Sequence, residues 1–287
     1  MLVFKKVAIV GVGLIGGSLA LSAREKGVFH YIIGIGRTLR NLQKAKELGV
    51  VDNYTVNLTE GVKNVDLVVI ATPVGTIIPL IEKMLPYLKE ETIITDVGSV
   101  KGEIIRKVDK LHLSNLYFVG GHPIAGTENS GVEAAFSDLF TGKKCILTPS
   151  KQTNLSALEK VKNLWISVGS EVITMDSELH DWIMAAVSHL PHIVAFTLVN
   201  FLSDIDNSNK NLFKFSAGGL KDFTRIAGSD PIMWRDIALM NKANLVDLID
   251  RYQKKLNYFR ELINQEDFSN LFEEIQKSRN IRRNIIK

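Results

Sequence analysis

The sequence predicts a doubly wound α/β sheet in residues 1–176, followed by an all-helical domain in residues 177–287. Three observations carry this. Short β-branched runs alternate with helix-length segments through the first half, the pattern of parallel strands joined by crossover helices. A glycine-punctuated turn, Gly11-x-Gly13-x-x-Gly16, stands between the first of those strands and the helix after it. Beyond Asp176 strand signals vanish and apolar residues recur at helical spacing.

Taken in order, the runs are Val7–Gly13, Tyr31–Gly36, Asp66–Thr72, Thr92–Val100 and Tyr117–Gly121. Two later runs, Lys144–Pro149 and Glu171–Asp176, flank a helical segment from Asn154 to Gly169 and extend the same sheet. The C-terminal part is expected to break at Pro191, Gly218-Gly219 and Pro231, and apolar residues recur at helical spacing at Ile237, Met240, Leu245, Leu248, Tyr252, Leu256, Phe259 and Ile263.

Composition narrows the class. In 287 residues, 46% hydrophobic content is ample for a core, and a net charge of +4 with scattered basic residues gives no reason to expect a nucleic-acid partner. The lone Cys145 cannot form an internal disulfide, which points to a reducing cytoplasm, and the N-terminus has no secretory signal pattern. The longest apolar segment, from Trp182 to Leu202, carries His189, Pro191 and His192, so it reads as a buried helix rather than a membrane span.

The glycine turn is a dinucleotide site. Gly11 allows the tight turn, Gly13 lets the backbone approach a pyrophosphate, and Gly16 lets helix pack on strand, with Leu14 and Ile15 opening the helix whose N-terminus faces the phosphates. An NAD site is expected to carry an acidic residue at the end of the second strand. Here Gly36 and Arg37 stand there, with Thr38 and Arg40 close behind, which tilts the choice between NAD and NADP towards NADP. Thr72 and Pro73, after the third long strand, are expected on the nicotinamide side.

Chemistry-bearing residues collect at the carboxyl ends of later strands, where ligands bind in open α/β sheets. Ser99 and Lys101 follow one strand. His122, Thr127 and Glu128 follow the next, in a segment, Gly120–Gly131, crowded with glycine and with Pro123. Such a segment fixes turns and admits close approach to the backbone, and a Gly-Gly-His-Pro turn presents an imidazole with no packing role. The helical part adds Ser188, His189 and His192, then Lys221, Asp222, Arg225, Ser229, Trp234 and Arg235. Purely structural roles are also open to several of these: a helix cap for Ser99, a satisfied core position for His189, a core ring for Trp234.

Together the segments at Gly11–Ala20, Asp96–Gly102, Gly120–Gly131, Ser188–His192 and Asp222–Ile237 resemble those of the prephenate and arogenate dehydrogenases of tyrosine biosynthesis, from the first strand to about Ile263. The resemblance implies a Rossmann-type nucleotide domain joined to a helical domain that forms a homodimer. It also implies a monofunctional enzyme that oxidises and decarboxylates prephenate to 4-hydroxyphenylpyruvate, or arogenate to tyrosine. His122 matches the family's catalytic histidine and takes the proton of the C4 hydroxyl, with Ser99 orienting it; no metal is required. Arg225 matches the substrate arginine. His192, Lys221, Thr127, Glu128, Ser188 and Trp234 would line the pocket, and cationic or donor groups at its far end favour a keto acid, hence prephenate, over an amine. A hydroxy-acid dehydrogenase on the same two-domain plan needs a catalytic lysine where this chain reads Ala186–Ala195 and has none. A non-catalytic dinucleotide sensor would need neither His122 nor Arg225.

Overall fold

The computed structural model describes residues 3–111, 113–127, 129–206 and 211–285. The chain forms two compact units, Met1–Asn241 and Lys242–Lys287, so the boundary expected at Asp176 lies within the first.

The first unit is built on one eight-stranded sheet. Its strands are β1 (Phe4–Val10), β2 (Phe29–Ile35), β3 (Asn53–Thr55), β4 (Leu67–Ile70), β5 (Ile93–Asp96), β6 (Tyr117–Pro123), β7 (Lys144–Thr148) and β8 (Glu171–Thr174), in spatial order 3-2-1-4-5-6-7-8. Helices α1 (Leu14–Glu25), α2 (Leu39–Glu47), α3 (Leu58–Gly61), α4 (Ile77–Met84), α5 (Gly102–Asp109) and α6 (Leu155–Ser167) connect them. Strand order reverses about β1 and β4, the geometry that opens a crevice for a ligand at the strands' carboxyl ends. The sheet is apolar on both faces. Val7, Ile9, Leu67 and Val69 point into one core cluster, while Ala8, Val10, Val68 and Ile70 point into the other, as period-two alternation in a doubly covered sheet requires. β3, only three residues long and without an apolar run, left no signal in the sequence.

β6 departs from expectation. His122 lies inside the strand rather than in a turn, because β6 changes partner along its length. Tyr117 to Val119 pair in parallel with β5, whereas Gly120 to Pro123 pair antiparallel with β7, His122 standing opposite Ile146. The crowded glycines serve this passage. A Cβ at Gly121 would come within 2.9 Å of Asp96 O, and one at Gly120 within 2.6 Å of Thr148 Oγ1.

After the sheet come α7 (Ser177–Met184), a π-helical turn (Ala185–His189), α8 (Leu190–Ile205), α9 (Gly218–Thr224) and α10 (Pro231–Met240). Gly218 and Pro231 begin helices as expected. Pro191 does not break one. The π turn just before it widens the backbone where the ring would otherwise clash with the carbonyl one turn back, and Ser177–Ile205 runs as one 29-residue helix. The expectation of a buried helix also fails for its second half: in α8 only Ala195 is buried, and Phe201 is 57% exposed, because none of the described residues of the unit covers that side chain. By length and composition alone this helix is apolar enough to cross a membrane.

The second unit is a helical hairpin, α11 (Lys242–Asn264) and α12 (Phe268–Ile285), tied by Lys255 to Glu274 at 2.6 Å. Phe268, Phe272 and Ile275 are exposed on it.

Candidate active site

The glycine turn meets the physical requirements of a pyrophosphate cradle. Gly11 has φ +96°, and a Cβ there would overlap the carbonyl of Ala71 and reach within 2.8 Å of the Thr72 side chain. A Cβ at Gly16 would overlap Gly11 O, whereas one at Gly13 would meet nothing within 4 Å, so the space above Gly13 is open. α1 starts there with no side-chain cap, leaving the N–H groups of its first turn, at Leu14, Ile15 and Gly16, to an anion. Thr72 and Pro73 lie beside this loop, held by the Thr76 hydroxyl at 2.8 Å from Thr72 Oγ1 and 2.7 Å from Pro73 O. Arg37 and Arg40 are exposed after β2, and among the described residues neither has a carboxylate partner.

His122 sits on β6, three strands along the sheet from β1, whose end carries the cradle. Its Nδ1 lies 2.8 Å from Nε2 of His180, whose own Nδ1 lies 2.8 Å from Oδ1 of Asp181. That carboxylate also accepts the backbone N–H groups of Lys101, at 2.7 Å, and Gly102, at 2.8 Å, at the start of α5. Burial, reinforced by His180, Lys101 and His189, pushes the His122 pKa well below the usual imidazole range, so the ring is neutral near pH 7. Beneath it Lys101, wholly buried, pairs with the buried Asp96 and donates to Gly121 O at 3.0 Å. This pins β6 one residue before His122. Burial holds Lys101 below its ordinary pKa, against the opposing pull of Asp96.

A second group joins the first through Asn241. Its amide donates to the carbonyl of Asp181 at 2.7 Å and lies 3.1 Å from His189 Nδ1. His189 meets Trp234 edge-on, ring centroids 5.9 Å apart, and His192 stacks on the same indole at 3.6 Å. His192 Nδ1 donates to the carbonyl of Ser188 at 2.9 Å, which leaves its Nε2 outward. Burial lowers its pKa, and the nearby positive charge of Arg225 lowers it further. Burial likewise takes His189 down to about 4, assisted by His180 and His192. The fold therefore brings His122, Ser188, His192, Trp234 and Arg225 into one connected set.

Other expected residues stand apart. Ser99 is half-buried between β5 and α5, on the strand end next to that of His122. Thr127 is exposed and bonded locally to Asn129, at 3.2 Å. Lys221, exposed on α9, borders a shallow hollow with Val199, Leu202 and Phe213, and no hydrogen bond joins it to His192 among the described residues. Glu128 lies outside the described residues. Sequence reasoning missed His180, Asp181, Asp96 and Asn241. Asp96 opens a segment that the sequence singles out, without pointing to a role for it; the adjacent His-Asp pair in the first turns of α7 is the sign of His180 and Asp181, and nothing local shows that it reaches β6.

Two family models match the chain: "Prephenate dehydrogenase, nucleotide-binding domain" over residues 19–174 and "Prephenate dehydrogenase, dimerization domain" over residues 176–277. The chain is 38% identical to a prephenate dehydrogenase of Bacillus subtilis over 96% of its length and 75% of the relative's. It is 35% identical to a cyclohexadienyl dehydrogenase of Zymomonas mobilis, covering 98% of this chain and 96% of that one. Among solved structures, the prephenate dehydrogenase of Aquifex aeolicus in complex with hydroxyphenyl propionate and NAD+ superposes with a TM-score of 0.93 at 43% identity, over 98% of each chain.

Proposed function

The chain belongs to the prephenate dehydrogenase family, and from that premise we propose that it catalyses the oxidative decarboxylation of prephenate in tyrosine biosynthesis, with His122 as the proton acceptor. The observation that carries the residue assignment is the neutral, partly buried imidazole of His122, at one end of a bonded and stacked set that runs through His180, Asp181, Asn241, His189 and Trp234 to His192, on which the charge of Arg225 acts. The cradle of Gly11, Gly13 and Gly16, with Thr72 and Pro73 beside it, would hold a nicotinamide cofactor, which would supply the hydride acceptor.

The protein's own groups do the rest. Hydride leaves C4 of the substrate as His122 Nε2 takes the C4 hydroxyl proton. The electron pair of the C1–carboxylate bond then enters the ring, carbon dioxide departs, and the phenolate oxygen takes the proton back. Ser99 orients the hydroxyl. Arg225 offers a planar fork to a substrate carboxylate, and His192, fixed by its stack on Trp234 and its bond to Ser188 O, presents Nε2 to the pocket. Lys221, Thr127 and Glu128 complete the substrate end, on the sequence resemblance alone. Aromatisation drives the second step.

A functional division near Asp176, with the homodimer formed through residues beyond Ser177, is part of this reading; the dimerization-domain match over residues 176–277 supports it. The lone buried Cys145 suits a reducing cytoplasm. Replacing His122 with Asn should lower kcat by about 10²-fold or more with little change in KM, measured by cofactor reduction with prephenate. An unchanged kcat removes His122 from the reaction.

Substrate and cofactor choice rest on charge. Arg37, exposed after β2 and without a carboxylate partner among the described residues, favours the 2′-phosphate of NADP, although the Aquifex relative was solved with NAD+. Arg225, and Lys221 on the sequence resemblance, favour the keto acid prephenate over the amine of arogenate. Comparing kcat/KM for both substrates, with each cofactor saturating, tests both; a tenfold preference for arogenate would reverse the substrate reading.

A further inference from the structure

We infer that His180 is a positioning residue that, backed by Asp181, fixes the tautomer and orientation of His122 so that Nε2, and not Nδ1, is the bare nitrogen facing the substrate. This role deepens the assignment of His122 as proton acceptor and rests on it.

The hydrogen-bond pattern has one solution with neutral rings. An ionised carboxylate only accepts, and Asp181 already takes two backbone N–H donors, so the proton between Asp181 and His180 sits on His180 Nδ1. The Nε2 of His180 is then a lone pair. The 2.8 Å contact with His122 requires a donor, which makes His122 an Nδ1–H tautomer with Nε2 unprotonated. His180 is completely buried and Asp181 nearly so, which shields that acceptor from bulk solvent. The edge-on packing of the two rings, 5.1 Å between centroids at 69°, sets the angle at which the His122 ring stands.

The chain of groups also has a use during turnover. When Nε2 takes the hydroxyl proton, the imidazolium keeps a strong acceptor at Nδ1, with an anion behind it. The arrangement follows the logic by which a carboxylate orients a catalytic imidazole, lengthened by one ring. The carboxylate is held in turn by the start of α5, so the orienting groups on α7 are fixed to the element that follows β5.

The test uses the intact enzyme with its cofactor and three variants, His180→Leu, His180→Gln and Asp181→Asn, each checked for folding by thermal unfolding. Leu keeps bulk and removes the acceptor; Gln restores an amide oxygen near the position of Nε2. His180→Leu should lose roughly 10²-fold in kcat with KM for prephenate changed less than about threefold, and His180→Gln should recover at least about tenfold of that loss. Asp181→Asn should fall between them. Independently of activity, ¹⁵N shifts of His122 in histidine-labelled wild type should report a protonated Nδ1 and a bare Nε2. Nε2 protonated in the wild type would overturn the inference, as would a His180→Leu enzyme with near-normal kcat, or Leu and Gln variants equally impaired. Should His180→Leu fail to fold, the Gln variant and the wild-type spectrum still decide it. If His122→Asn itself leaves turnover intact, the failure belongs to the proton-acceptor assignment instead.

Discussion

At the scale of single residues, the site separates a neutral end from a cationic one. Burial disfavours charge on His122 and His189, whereas Arg225 is an exposed guanidinium. This suits a substrate that carries carboxylates yet reacts at an uncharged hydroxyl. Arg225→Ala should therefore raise KM for prephenate, by on the order of 2–4 kcal/mol of binding or roughly 30- to 1,000-fold, while kcat falls less. Steady-state kinetics checks this, and loss of cofactor affinity instead would place Arg225 elsewhere. Lys101 has a supporting role at the same scale. It pairs with Asp96 under the strand and donates to Gly121 O, so it shapes the site from below.

At the scale of elements, two irregularities build the site. β6 changes partner halfway, which carries His122 beyond the end of β5 while keeping its backbone paired. The π-helical turn Ala185–His189 rotates the helix so that His189 turns inward to Asn241 and Trp234. That inward turn has a stability cost in acid. The folded pKa of His189, about 4, lies below its unfolded value near 6.5, so the unfolded chain binds this proton first as pH falls. Stability should thus be fully present above about pH 6.5 and decline towards pH 4, His189 alone contributing on the order of 3 kcal/mol. Urea midpoints at pH 7 and pH 4.5 measure the slope, and His189→Asn should flatten it; an unchanged slope in that variant would mean the ring is not buried neutral.

At the scale of the whole molecule, one chain leaves too much apolar surface uncovered. Val187 is 66% exposed and Phe201 57%, on the helix that is apolar enough to span a membrane, and Phe268 and Phe272 are exposed on the C-terminal hairpin. A second copy would bury this surface, in keeping with the dimerization model that matches residues 176–277. Light scattering at micromolar concentration should give twice the 32.0 kDa of one chain. A single-chain mass, or a particle that persists only in detergent, would refute the homodimer.

The sequence by itself determined the doubly wound sheet, though not the antiparallel pairing of β6 with β7, and it determined the glycine cradle and the helical C-terminal part, because strand alternation, glycine at a tight turn and helical spacing are local properties that leave periodic marks along the chain. It also singled out His122, His192, Trp234 and Arg225, which the fold connects. Only the tertiary structure decided what His122 bonds to. His180 is 58 residues away, and the Asp181 carboxylate meets the Lys101 N–H across 80. Contacts of that span have no footprint in local spacing, and a buried histidine beside an aspartate reads the same in sequence whether it caps, packs or orients. The purpose of Gly120 and Gly121 was hidden for the same reason: the atoms for which they make room, on Thr148 and Asp96, belong to strands that become neighbours only when the sheet closes.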